Sequence, residues 1–157
     1  MAISSLRLAD ADHDRPPALP PHRRPQAVTL RDAPASPSAV PALRRFACDT
    51  ARRWEIPDEA VDRLALVVTE LVTNAVLHSD SPDVLVAIEF DGAVLTVEVK
   101  DSGTWRSRRS ARRIAEDDVT GGRGLDLVGR STTWWHAFLS PLGTRVVACL
   151  AVRPLTA

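Results

Sequence analysis

The apolar residues in the middle of this chain recur with two different periods, one typical of helices and one typical of strands. Apolar residues recur at helical spacing over 39–54 and again over 59–78, and the second run carries the wider apolar surface. Strict alternation of apolar and polar residues then marks 84–90 and 93–100 as strands, and Asp91-Gly92 between them is a strong hairpin signal. The pattern therefore predicts two helices followed by an antiparallel hairpin.

The flanking segments are shorter and more polar. We predict strands over 27–31, 132–139 and 144–151 and a short helix over 125–130. Asp32 to Pro37 is predicted to be a loop, and Ser38 is predicted to cap the first helix. Residues 1–25 are predicted to form a disordered tail, which leaves 26–157 as one domain. This order predicts an α+β fold, a two-layer α/β sandwich whose mostly antiparallel mixed sheet is covered by helices on one face.

Composition narrows the function classes. A chain of 157 residues with 45% hydrophobic residues can bury a real core, and its 20 basic and 20 acidic residues give no general attraction to nucleic acid or membrane. The longest apolar run, Val146 to Val152, is too short to span a bilayer, and no signal peptide is visible. Cys48 and Cys149 lack metal-ligand spacing, so we expect reduced buried thiols in a cytoplasmic protein.

A polar stripe runs along the second predicted helix. Glu70, Asn74 and His78 follow one another at intervals of four residues. In a helix, side chains four residues apart differ in direction by only about 40° around the axis. The three side chains therefore share one narrow face of a helix that is otherwise apolar. Burying a carboxylate and an amide without partners is costly, so we expect a ligand with a metal ion at this stripe.

Two further motifs follow the hairpin. Asp101-Ser102-Gly103 ends a predicted strand, where the carboxylate could accept a hydrogen bond from an adenine amino group. Gly121-Gly122-Arg123-Gly124 precedes a helix whose free N–H groups suit a phosphate. It is neither a Walker A loop nor a Rossmann fingerprint, because no Gly-Lys-Ser/Thr follows and position 127 is leucine. Taken alone, each motif fits a purely structural loop better than a ligand site.

Taken together and in this order, the three motifs resemble the nucleotide-binding boxes of the GHKL superfamily of gyrase, chaperone, histidine kinase and MutL-type ATPases. The resemblance covers about residues 27 to 152, and Gly143-Thr144 also matches the family pattern. The run from Glu70 to His78 is its most specific part. This run is most similar to that of the small stand-alone members of the superfamily, which are anti-sigma factors that are also serine protein kinases. The resemblance implies a Bergerat ATP-binding fold with ATP and Mg²⁺ as ligands.

The resemblance assigns the helix residues to the phosphate end of the nucleotide. Asn74 would bind Mg²⁺ through its amide oxygen, and Glu70 would act as a general base. His78 would lie near the nucleotide, although a favourable contact with the helix dipole explains that position equally well. Backbone N–H groups of the glycine motif and its neighbour would wrap the phosphates, and the residues implied are Gly121, Gly122, Gly124 and Leu125.

The adenine end of the nucleotide is assigned to the strand ends. Asp101 would accept a hydrogen bond from the adenine amino group, with Gly103 leaving room for the flat ring and Thr144 nearby. Residues 104–120 would form a lid, although a solvated charged loop explains their arginines as well. Trp105 stands where related kinases often carry a further glycine, which changes the expected hinge of the lid.

The implied function is an ATP-binding anti-sigma regulatory factor with serine/threonine kinase activity toward an antagonist of the anti-anti-sigma type. Its binding partner would be a sigma factor or a similar regulator, and a homodimer is a further expectation. One alternative is a non-catalytic ATP-binding module that acts by partner binding only. The other, half of a two-component histidine kinase, is disfavoured because no helical hairpin with a phosphoacceptor histidine precedes residue 38.

Overall fold

The computed structural model describes residues 24–103 and 122–152. Strand β1 (Ala27–Pro34) is followed by helices α1 (Ala39–Arg53) and α2 (Asp58–His78) and by the hairpin of β2 (Asp83–Phe90) and β3 (Val94–Asp101). Helix α3 (Gly122–Ser131) and the hairpin of β4 (Trp134–Ser140) and β5 (Gly143–Ala151) complete the described part. The first 23 residues of the predicted tail, the predicted lid and Gly121 lie outside it.

The strands form one five-stranded sheet in the order β1-β2-β3-β5-β4. Every pair of neighbouring strands in the described residues is antiparallel. The α+β sandwich is therefore confirmed, with no parallel pair in the part of the chain that the structure describes. Strand β5 lies between β3 and β4, which brings the end of β3 and the start of β5 side by side.

The core lies between the helices and one face of the sheet. Strand β3 shows the division, because Leu95, Val97 and Val99 are buried toward the helices whereas Thr96 and Lys100 face the other way. Helix α2 runs through the middle of this core and also contacts α1 and α3. Its buried apolar residues are Ala60, Val61, Leu64, Val67, Val68, Leu71, Val72 and Ala75.

Two local predictions at the start of the domain need correction. Strand β1 does not end at Arg31, because 32–34 continue the antiparallel pairing with β2. Pro34 is tolerated there because it ends an edge strand. Ser38 does occupy the position before α1, but its side chain makes no capping bond. Its Oγ lies 2.8 Å from Oγ of Ser36 instead, so the hydroxyl is used within the preceding turn.

The predicted hairpin turn is present and its residues explain it. The carboxylate Oδ1 of Asp91 accepts hydrogen bonds from the N–H groups of Ala93 and Val94, at 2.9 and 2.7 Å. Gly92 has a φ of 95°, which residues with a side chain rarely adopt. The turn thus fixes the register that places Asp101 opposite Val84 at the far end of the hairpin.

Strand β4 separates the two neighbouring tryptophans. Trp135 packs against the core on the helix side, whereas Trp134 lies on the opposite face with His136 and Phe138. The ring centroids of His136 and Phe138 are 4.7 Å apart in an edge-on arrangement. Only one of these two neighbouring tryptophans therefore faces the helices, as the alternation of side chains along a strand requires. Among residues 24–103 and 122–152, none of the helices combines the length and the hydrophobicity that a membrane span requires.

We predict that Leu64→Ala lowers the free energy of unfolding by about 2–5 kcal/mol, because Leu64 is fully buried and its removal leaves a cavity under the sheet. Urea denaturation measures the effect. Leu142→Ala is the matched control, since that leucine is 83% exposed and its loss should change stability by less than about 0.5 kcal/mol. Similar losses for both variants would contradict the assignment of the core.

Candidate functional site

A pocket of about 140 Å³ opens between α2 and the helix side of the sheet. Three polar side chains line it, namely Asn74 of α2, Asp101 at the end of β3 and Thr144 near the start of β5. The rest of the wall is apolar and consists of Leu71, Ala75, Val99, Leu125, Trp135, Ala137, Leu139 and Val146. A mostly apolar cleft with a few convergent polar groups is typical of a small-molecule site.

Asp101 is the buried acid of this pocket, with only 5% of its surface exposed. Its Oδ1 accepts hydrogen bonds from the backbone N–H groups of Gly103 and Thr144, at 3.1 and 3.4 Å. Burial raises the pKa of the Asp101 carboxyl, and the two N–H donors oppose that rise. With Oδ1 held by the backbone, Oδ2 is the oxygen left to accept a hydrogen bond from a ligand.

Thr144 adds an unsatisfied hydroxyl next to this acid. It pairs with Asp101 across β3 and β5, and its Oγ1 is fully buried without a hydrogen-bond partner in the described residues. Leaving a buried hydroxyl unpaired costs about 1–3 kcal/mol. A polar ligand in the pocket would remove that cost, so the carboxylate and the hydroxyl together suit a flat heterocycle with a donor and an acceptor on one edge.

The three residues of the polar stripe on α2 lie in three different environments. Asn74 lies in the pocket wall, and Glu70 lies one turn earlier and is half-buried. Oε2 of Glu70 approaches the first turn of α3 so closely that a Cβ on Gly124 would collide with it. His78 is the last residue of α2 and is exposed, and it does not line the pocket. Of the three stripe residues only Asn74 lines the pocket, since Glu70 faces α3 outside the pocket wall and His78 is exposed at the end of the helix.

A family model for the histidine kinase-like ATPase domain matches residues 33–149. This chain belongs to that family. No curated protein matches the chain. The match extends from the end of β1 to near the end of β5, so it includes the α2 stripe, Asp101 and Thr144. The domain is therefore an ATP-binding domain of the histidine kinase-like type, and the pocket is its candidate nucleotide site.

The glycines of this ATPase domain have two different surroundings. Gly122 and Gly124 belong to the first turn of α3, which begins three residues before the predicted start. Backbone N–H groups in the first turn of a helix have no partner within the helix, which is the property that the predicted phosphate contacts require. At Gly103 a Cβ would overlap the carbonyl oxygen of Ser79. The turn after α2 therefore already excludes a side chain at position 103.

The sequence did not identify the wall that β4 contributes to the ATPase pocket. Trp135, Ala137 and Leu139 alternate along β4 and all face the ligand space. Trp135 also packs near α3, where its Nε1 would lie 3.4 Å from a Cβ on Gly129. Alternation in β4 could show that these three share a face, but only the strand order shows that this face ends at the pocket.

We predict that the affinity for ATP falls as pH is lowered through the raised pKa of Asp101. The ionised carboxylate is the form expected to accept a hydrogen bond from the adenine amino group, and burial favours the neutral form, so binding and proton release would be linked. One linked proton lowers the affinity by up to about tenfold for each pH unit below that pKa. Calorimetric titrations from neutral pH into the acidic range measure this dependence.

The matched control for that titration is Asp101→Asn, which keeps the shape and one acceptor oxygen but cannot ionise. The nucleotide and any other groups titrate identically in both proteins, so the difference between the two curves isolates Asp101. Parallel curves would contradict a role for the Asp101 carboxylate in binding the base.

Proposed function

We propose that this ATPase domain is an anti-sigma regulatory factor that transfers the γ-phosphoryl group of ATP to a serine or threonine of an antagonist protein. The observation that carries the proposal is the position of Glu70. Its carboxylate lies against the first turn of α3 while Asn74, one turn later on α2, lies in the wall of the nucleotide pocket. A carboxylate beside the phosphate end of a nucleotide is suited to accept a proton from an attacking hydroxyl.

The two ends of the pocket support different parts of this activity. Asp101 and Thr144 offer polar groups to the adenine, and the apolar wall, including Val99 and Leu71, covers its faces. The first turn of α3 offers free N–H groups and the positive end of a helix dipole to the phosphates. In this proposal one nucleotide extends from the ends of β3 and β5 to the start of α3.

Magnesium is part of the proposal, and the donor chemistry fits it. The amide oxygen of Asn74 and the nearby carboxylate of Glu70 are hard oxygen donors, which Mg²⁺ prefers. Within the described ranges no group of three or more His, Cys, Asp or Glu side chains is arranged to hold a metal. In the proposal Asn74 supplies one ligand, and the phosphates and water supply the rest. The ion would neutralise charge on the phosphates.

The transfer step then follows from the chemistry of phosphoryl groups. The hydroxyl oxygen of the antagonist serine or threonine bonds to the γ-phosphorus, and the bond from that phosphorus to the β–γ bridging oxygen breaks. ADP leaves with the electron pair, and the hydroxyl proton passes to Glu70. Positioning and charge neutralisation supply most of the rate in such reactions.

The regulatory part of the proposal concerns the partners. The domain would hold a sigma factor or a similar regulator in the cytoplasm, and phosphorylation of the antagonist would decide whether that regulator is released. The support for this assignment is the sequence from Glu70 to His78, which is most similar to stand-alone anti-sigma kinases.

Incubation with γ-labelled ATP, Mg²⁺ and candidate antagonist proteins encoded at neighbouring loci tests the proposal. The expected result is label on a serine or threonine of one antagonist. Absence of label on every candidate, with ATP binding intact, would favour the non-catalytic module that acts by partner binding only.

We predict that Glu70→Gln lowers the rate of phosphoryl transfer by about 10²- to 10⁴-fold, which is the usual contribution of a general base. Affinity for ATP should change little, because the amide keeps the size and polarity of the side chain. Single-turnover transfer from labelled ATP measures the rate, and calorimetry measures the affinity. A variant that transfers at the parent rate would rule out Glu70 as the base.

We also predict that Gly124→Ala slows transfer by up to about 10²-fold, because its Cβ would displace the Glu70 carboxylate. Gly129→Ala is the matched control. It makes the same substitution in the same helix, but its Cβ would meet only Nε1 of Trp135 at 3.4 Å. Both substitutions replace glycine by a better helix former, so equal transfer rates in the two variants would contradict the placement of Glu70.

A further inference from the structure

Three serines form a bridge between the end of α2 and the loop that follows β3. Ser81 Oγ donates a hydrogen bond to the carbonyl oxygen of Asp83 at 2.6 Å and accepts one from the N–H of Ser102 at 3.0 Å. Ser79 Oγ donates to the carbonyl oxygen of Ala75 at 2.6 Å and accepts from the N–H of Ser81 at 3.2 Å. The serine bridge, Ser79, Ser81 and Ser102, is therefore continuous from helix backbone to strand end.

This bridge is closely packed as well as hydrogen-bonded. Ser79 is fully buried and Ser81 is 9% exposed. A Cβ on Gly103 would overlap the carbonyl oxygen of Ser79 and would lie 2.9 Å from the nitrogen of Ser81. Asp80, between the two serines, has a φ of 50°, which Asp tolerates better than most residues. The two segments thus fit together without space for movement.

The bridge joins the two halves of the nucleotide site. Helix α2 carries Asn74, which faces the phosphate end, and ends at His78 immediately before Ser79. On the other side, Ser102 directly follows Asp101, the carboxylate of the adenine end. The Ser81 hydroxyl, which itself lies in the turn after α2, bonds the backbone at the start of β2 and at Ser102, directly after β3. The Ser81 hydroxyl is therefore placed to fix the position of Asp101 relative to α2.

We propose that Ser81 is a positioning residue for base recognition, whose hydroxyl holds the Asp101 carboxylate at the place where it meets the amino group of adenine. This inference rests on nucleotide binding in the pocket, and Ser81 itself does not line that pocket. Without the hydroxyl, the N–H of Ser102 and the carbonyl of Asp83 lose their partner, and the end of β3 at Asp101 is no longer tied on that side to the turn after α2. Recognition of the amino group then weakens while contacts to the phosphates remain.

The test compares ATP with purine riboside triphosphate, which lacks the 6-amino group but keeps the ring and the phosphates. Calorimetry on the full chain with Mg²⁺ measures both affinities. We expect the parent protein to prefer ATP by about tenfold, the effect of one hydrogen bond to a charged group. In Ser81→Ala the preference should fall to less than about threefold, mainly through weaker ATP binding, whereas in Ser81→Thr it should be kept.

Two further variants separate positioning from general stability. Thr133→Ala removes a hydroxyl that donates to the carbonyl oxygen of Cys149 at 3.0 Å, at the opposite end of the sheet. It should lower the thermal midpoint without changing the preference for ATP. In an Asp101→Asn background, Ser81→Ala should have no further effect on the preference. Where Ser81→Ala does not fold, Ser81→Cys keeps the size of the side chain with a weaker donor and acceptor, and it should show the same loss.

The outcomes distinguish this inference from the function on which it rests. No binding of either triphosphate by the parent protein would overturn nucleotide binding itself. A parent that prefers ATP, with the same preference kept in folded Ser81→Ala or Ser81→Cys, would overturn only the positioning role. Loss of the preference in Thr133→Ala to the same extent would also overturn it, because the effect would then reflect stability.

Discussion

The packing of α2 against β3 and β5 is the constraint on which the rest of the structure depends. Val67, Val68 and Leu71 of α2 are buried in the core, and close packing leaves a core helix no freedom to rotate. The side of α2 that carries Glu70 and Asn74 is therefore held toward α3 and the pocket. The same packing sets the depth of the cleft above Val99, so a single helix orientation determines both the polar and the apolar part of the site.

The site is built with polar groups that the protein alone leaves incompletely satisfied. Thr144 Oγ1 is buried without a partner in the described residues, and only one oxygen of the Asp101 carboxylate is engaged by the backbone. Such groups reduce the stability of the ligand-free fold. Binding of a nucleotide that satisfies them would recover this energy, and the linkage predicts that ATP stabilises the domain against unfolding.

Much of this arrangement could be predicted from the sequence, because apolar residues recur regularly along the helices and strands. The spacing of the α2 stripe predicted one shared face, and the Asp91-Gly92 turn fixed the hairpin register that ends at Asp101. The extent of β1 was not predicted, because proline is typical of loops and the sequence does not show that Pro34 lies in an edge strand. The start of α3 was also missed, since glycine is a weak helix former and its position beside Glu70 is not visible in the sequence.

Long-range features were the least accessible to sequence reasoning. The wall formed by Trp135, Ala137 and Leu139 depends on β4 lying at the sheet edge beside β5, which no local pattern encodes. The bridge between Ser79, Ser81 and Ser102 likewise depends on two segments that are distant in the chain. Serines in a turn after a helix are ordinary in sequence, and their role becomes visible only when the loop after β3 is seen to pack on them.

The most direct measurement is a crystal structure of the full chain with Mg²⁺ and a non-hydrolysable ATP analogue. The account predicts that the adenine amino group lies within hydrogen-bond distance of the Asp101 carboxylate, with a polar atom of the base or an ordered water on Thr144 Oγ1. It also predicts that the phosphates lie between Asn74 and the first turn of α3. An adenine bound outside the cleft between α2 and β3, or a base in the cleft that leaves Asp101 without a ligand contact, would contradict it.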